Sequence, residues 1–137
     1  HVRSTHLNTI KQAINRIIER NYLFLFNGFL HHFKLQGTQE LATFAKTYNK
    51  LFGFNFAAEY LYETSKPEIL NILEYSDFIF CNKDEAKACK LYLNSELGIN
   101  SSFENESSEL FQIAQAVTKY SKQNEQRSRV MIITNSE

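Results

Sequence analysis

Apolar residues recur along this chain at two different spacings. Leu7, Ile10, Ile14, Ile17 and Ile18 fall three and four residues apart, as one buried face of a helix requires. Tyr22 to Phe26 is then a continuous apolar run ended by Asn27-Gly28, which predicts a strand buried on both faces. Leu41, Phe44, Ala45 and Tyr48 return to the helical spacing, and Phe52 to Phe56 predicts a second strand. Ser65-Lys66-Pro67-Glu68 predicts a helix start: Ser65 as the cap, Glu68 three residues on, and Pro67 tolerated in the first turn. Ile69, Leu70, Ile72 and Leu73 would face inward from that helix. Phe78 to Phe80 predicts a third strand, Asp84 to about Leu97 a helix closed by Gly98, and Ile99 to Ser108 a polar surface loop. Leu110, Ile113, Ala114, Val117 and Tyr120 mark a further amphipathic helix. After a charged connection over 121–129, Val130 to Ile133 predicts a fourth strand.

Strands alternating with helices imply an α/β fold with a mostly parallel sheet and right-handed crossovers. No interior stretch rich in Gly or Pro divides the chain, so it reads as one domain or one piece of one. Composition agrees: 137 residues, 43% hydrophobic and 14% aromatic, is enough to build a core. Fifteen basic residues balance fifteen acidic ones, which gives no electrostatic footprint for nucleic acid or an anionic membrane. No apolar run approaches the ~20 residues that span a bilayer, and no signal peptide is visible. Cys81 and Cys89 do not make a disulfide framework and are expected as reduced, half-buried thiols in a cytoplasmic, reducing setting. The chain begins at His1 rather than Met and stops soon after a buried strand, so a part of a longer protein is expected.

The chemistry concentrates where the third strand meets its helix. Asn82 and Glu85 stand three residues apart at a helix start, which brings both side chains to one side of the first turn. Open α/β sheets hold their ligands at the carboxyl ends of strands. An Asn amide bonds a phosphate oxygen, and a Glu carboxylate holds Mg²⁺ directly or through its waters. The same two residues also suit a purely structural task, with Asn82 or Asp84 capping the helix and Glu85 as a favourable first-turn acid.

Four segments taken together resemble the ribokinase-like sugar and nucleoside kinases, and most nearly the adenosine kinases. Phe26-Asn27-Gly28-Phe29-Leu30 is similar to their strand end carrying Gly-Phe-Phe-Leu. Phe54-Asn55-Phe56-Ala57-Ala58-Glu59-Tyr60 is similar to their Asn-Leu-Ser-Ala-Pro-Phe segment. The run from Tyr75 to Ala86 resembles Tyr-Val-Asp-Ile-Leu-Phe-Gly-Asn-Glu-Thr-Glu-Ala and contains the family's Asn-x-x-Glu as Asn82 and Glu85. Arg129 to Thr134 resembles the strand that ends in Thr-x-Gly before the nucleotide site.

The resemblance implies a ribokinase-like three-layer αβα fold, of which residues 1 to 137 would be the central part. The amino-terminal lid and substrate segment and the carboxyl-terminal anion-hole segment would lie outside it. It implies phosphoryl transfer from ATP to the 5′-hydroxyl of adenosine or a related nucleoside, giving AMP, with Mg²⁺. Asn55, Asn82 and Thr134 would lie near phosphate or nucleotide, Glu85 would organise Mg²⁺ through water, and Phe29 and Tyr60 would line the nucleoside. The chain has four glycines, none in a Gly-Ala-Gly-Asp loop, so no catalytic base falls within it. That base is expected beyond Glu137, and residues 1 to 137 alone are expected to be inactive. Cys81 stands where the family has Gly, Glu59 where it has Pro, and Ser136 where it has Gly. These departures support an alternative: a catalytically inactive relative serving as a structural or interaction module in a larger assembly. A doubly wound domain with another ligand is the third reading. In each case the rest of the same protein, or another subunit, is expected to cover the sheet.

Overall fold

The computed structural model describes residues 22–24, 32–56, 60–99 and 102–135. Within them the order is β1 (Tyr22–Phe24), α1 (His32–Thr47), β2 (Leu51–Asn55), α2 (Tyr60–Thr64), α3 (Lys66–Tyr75), β3 (Phe78–Asn82), α4 (Lys83–Leu97), α5 (Glu106–Lys119) and β4 (Val130–Thr134). The four strands form one sheet in the order β1-β2-β3-β4, every neighbouring pair parallel. Parallel crossovers are right-handed as a rule, so steps in one direction across the sheet put the connecting helices on one face. The contacts agree: α1 packs on α3, α3 on α2, α2 on α4 and α4 on α5, a single helical layer. Two layers of the expected three are therefore described. The expected helical stripe from Leu7 to Ile18 lies outside the described residues.

Strand parity decides which side chains meet that layer. Phe52, Phe54, Ile79 and Cys81 point into it and are buried, joined by Ala42, Ala45, Ile69, Ile72, Leu73, Ala86, Cys89, Leu93, Ile113 and Val117. The opposite parity carries Val130 and Ile132 of β4, which are 45% and 38% exposed.

Several expectations shift. β2 runs Leu51–Asn55 rather than Phe52 to Phe56, although Phe56 still donates its N–H to Phe80. β3 extends to Asn82, and α4 starts at Lys83 and closes on Gly98 in the left-handed region at φ 66. The helical stripe of α1 is rotated from the expected one. Leu41, Phe44 and Tyr48 are exposed, whereas Ala45 is buried as expected, together with Thr38 and Ala42. The small side chains of Ala42 and Ala45 lie on the face that packs against α3, and the larger ones stay outside.

Ser65 precedes α3 with Pro67 in the first turn, but its side chain makes no cap hydrogen bond. It is fully buried directly after α2, a helix the periodicity did not predict. Too short to show a period, α2 is held by Tyr62, whose ring lies 5.9 Å from Phe56 and 5.9 Å from Tyr92. α5 begins at Glu106, inside the segment expected to be loop, because Asn105 Oδ1 accepts from Ser108 N at 2.8 Å.

Candidate functional site

Asn55, Asn82 and Thr134 end three adjacent strands. In register, Asn55 stands beside Phe80 and Asn82 beside Thr134. All three share the strand parity that points away from the described helices. With strands about 4.8 Å apart and alternate residues about 6.7 Å apart along each, their Cα atoms fall within roughly 12 Å of one another. The topology thus brings together the three residues expected near phosphate, at the carboxyl edge where α/β sheets bind ligands.

Asn82 and Glu85 form a reciprocal cap. Asn82 Oδ1 accepts from Glu85 N, and Glu85 Oε1 accepts from Asn82 N, each at 2.8 Å. Both structural tasks expected of these residues are therefore performed, and by Asn82 rather than Asp84. The box occupies one atom of each side chain. Asn82 Nδ2 and Glu85 Oε2 stand outside its two hydrogen bonds, next to the positive end of the α4 dipole. Among the described residues no further hydrogen bond is recorded to either atom, and an amide donor with a carboxylate oxygen fits a Mg²⁺-phosphate group, since Mg²⁺ takes oxygen ligands and keeps several waters. Among the described residues no cluster of three or more His, Cys, Asp or Glu side chains holds a metal unaided.

Thr134 Oγ1 donates to Cys81 O at 3.3 Å, tying β4 to β3 at the rim. Its oxygen lone pairs stay available to a donor. Asn55 Oδ1 is buried without a hydrogen-bond donor. Phe29 lies outside the described residues. Tyr60 begins α2, and only its backbone is described.

Cys81 replaces a glycine of the resembling motif, yet its backbone is ordinary strand and its side chain is 3% exposed in the core beneath the helices. The thiol therefore occupies the side of the sheet away from the rim. Cys81 and Cys89 are both fully buried rather than half-buried. Burial pushes the Cys81 thiol up to about 12, with the Glu85 charge adding to it, and pushes the Cys89 thiol up as well.

Two residues that the sequence reading passed over organise the amino ends of the same strands. Asp77, 3% exposed, accepts from Phe52 N at 2.9 Å and pairs with Lys122 at 2.8 Å and Arg127 at 3.1 Å. Arg129, also 3% exposed, donates to the carbonyls of Leu73, Ser76, Val117, Tyr120 and Ser121 at 2.7–3.1 Å. These carbonyls end α3 and α5. Desolvation lowers the guanidinium to about 10, still charged at neutral pH. The available signal was position: each is a charged residue immediately before a run of apolar strand residues. A depression of about 430 Å³ lined by Leu97, Gly98, Gln112 and Tyr120 lies at the carboxyl ends of α4 and α5, far from the rim.

No protein-family model matches the sequence, and no curated protein matches it. Solved structures do. The chain is similar to the adenosine kinase of Anopheles gambiae in complex with di(adenosine-5) tetraphosphate, at TM-score 0.69 and 23% identity, over 84% of this chain and 31% of that one. It is similar to the adenosine kinase of Schistosoma mansoni in complex with 2-fluoroadenosine, at TM-score 0.58 and 25% identity, over 74% and 27% of the two chains. The apo adenosine kinase of Trypanosoma brucei brucei matches at TM-score 0.56 and 18% identity, over 74% and 28%. The chain thus spans about three-tenths of the length of these enzymes. Over that span it has the ribokinase-like α/β fold of adenosine kinases.

Proposed function

We propose that the intact protein is an ATP-dependent nucleoside kinase that phosphorylates the 5′-hydroxyl of adenosine or a related nucleoside with Mg²⁺, and that this chain supplies the middle of it. The observation that carries the reading is the convergence of Asn55, Asn82 and Thr134 on one edge and one parity of a sheet with the adenosine kinase fold. Phosphoryl transfer asks the protein mostly to position groups and neutralise charge. Asn82 Nδ2 bonds phosphate oxygen, Glu85 Oε2 holds the waters of Mg²⁺, and Thr134 lies beside the nucleotide. Phe29 and Tyr60 line the nucleoside side. The base that takes the 5′-hydroxyl proton comes from outside residues 1 to 137, as do the remaining walls of the site. No helix among the described residues is long and apolar enough to cross a membrane, and we place the protein in a reducing, cytoplasmic setting.

Glu85→Gln separates catalysis from folding. Gln keeps the capping geometry and loses only the charge. In the intact protein the variant should lose no more than about 1 kcal/mol of stability, the scale of one first-turn charge, while lowering turnover and needing more Mg²⁺. An unchanged Mg²⁺ dependence would remove Glu85 from the metal site.

A second reading, an inactive relative acting as an interaction module, is favoured by the engagement of both motif residues in a local cap. That reading predicts no ATP-dependent phosphorylation of any nucleoside by the intact protein.

A further inference from the structure

Buried polar atoms in folded proteins almost always find a partner, so each exception asks for a cause. Asn55 Oδ1 is such an exception, and it sits at the carboxyl edge of β2 rather than deep in the core. Its register neighbour is Phe80, whose ring cannot donate a conventional hydrogen bond, and Asn82 uses its own side chain on α4. An amide oxygen is purely an acceptor. It has nothing to offer a phosphate, whose oxygens also accept, and would repel it.

We infer that Asn55 Oδ1 recognises the acceptor nucleoside, accepting a hydrogen bond from a neutral donor of that ligand, foremost a sugar hydroxyl, and that this oxygen does not face phosphate. The inference rests on the nucleoside kinase reading and reassigns one residue within it. The unsatisfied oxygen is held ready by the strand and becomes paired only when the ligand arrives. A site built this way discriminates strongly against ligands that lack the donor, because the oxygen then stays buried and unpaired.

The test is adenosine and ATP binding to the intact protein by titration calorimetry, with Asn55→Leu and Asn55→Asp beside the wild type. Asn55→Leu should weaken adenosine binding about tenfold, the scale of one lost neutral hydrogen bond in a dry site, and leave ATP binding unchanged. Its thermal stability should hold or rise, because an unpaired buried acceptor has been removed. Asn55→Asp keeps an acceptor and adds a negative charge, so adenosine binding should survive. If Asn55 instead served phosphate, Asn55→Asp would weaken ATP binding and spare adenosine, which would overturn the inference.

With the wild type, 2′-deoxyadenosine, 3′-deoxyadenosine and inosine locate the donor. Loss with either deoxynucleoside supports the sugar hydroxyl, and loss with inosine alone overturns that assignment in favour of the base amino group. A wild type that binds adenosine equally well as Asn55→Leu contradicts the role of Asn55 alone. A wild type that binds neither adenosine nor ATP contradicts the kinase reading and this inference together.

Discussion

Arg129 carries five N–H donors, and five backbone carbonyls receive them. No uncharged side chain supplies that many donors from one buried point. Arg129→Met should therefore destabilise the chain by about 3 kcal/mol or more, since each buried acceptor left unpaired costs about 1–3 kcal/mol. Arg129→Lys, with three donors, should lose less, and urea unfolding of both variants decides the order.

The thiols at residues 81 and 89 predict a chemical signature. Both are buried with raised pKa values, so iodoacetamide at pH 8 should modify neither in the folded protein and both after unfolding. Rapid labelling of the native state would contradict their place in the core. The linkage follows in sign: a thiol whose folded pKa lies above the ordinary 9.0 binds its proton more tightly when folded. Its contribution is complete below about pH 9 and is lost as pH rises toward about 12.

Helix starts show why equal sequence signals give unequal structures. Ser65-x-x-Glu68 and Asn82-x-x-Glu85 have the same form, yet only the second closes a capping box. Asn82 ends a strand with extended backbone at ψ 179, leaving its side chain free to reach Glu85 N. Ser65 follows α2 without a gap, fully buried, and its backbone at φ −138, ψ 33 is set by that junction. Asn82→Ala should accordingly destabilise the chain by about 1 kcal/mol, whereas Ser65→Ala should cost nothing through helix capping. Thermal melts of the two variants make the comparison.

The strands and the longer helices were readable because burial imposes a period on them, as in Phe78 to Phe80 and in Ile113 and Val117. The face of α1 was only partly readable: Ala45 is buried as expected, but Ala42 carries a weaker hydrophobic signal than Phe44 and Tyr48, and packing against α3 chose the small residues. Of the rim, Asn82 was readable as a polar residue ending an apolar run, whereas Asn55, inside the expected strand Phe52 to Phe56, and Thr134 were singled out only through the resemblance. The rim's counterpart at the other edge, Asp77 with Lys122 and Arg127, joins residues up to 50 apart in sequence and had no local pattern to mark it.

Across the whole sheet the two edges divide the work. The amino edge is locked by Asp77 and Arg129, which bind the starts of β2 and β4 to the ends of α3 and α5. Among the described residues, the carboxyl edge leaves Asn55 Oδ1 unpaired, with Asn82 Nδ2 and Glu85 Oε2 outside the capping box. A rigid base beneath an incompletely satisfied rim is the arrangement a positioning site needs. The chain spans about three-tenths of the adenosine kinases it matches, and the central claim is that its rim works only within the complete site.

The direct test is AMP formation from adenosine and ATP by the intact protein, beside residues 1 to 137 alone and the Glu85→Gln variant. The intact protein should form AMP in a Mg²⁺-dependent way, Glu85→Gln should form less at the same Mg²⁺, and residues 1 to 137 should form none. No AMP from the intact protein, or equal AMP from residues 1 to 137 alone, would contradict the central claim.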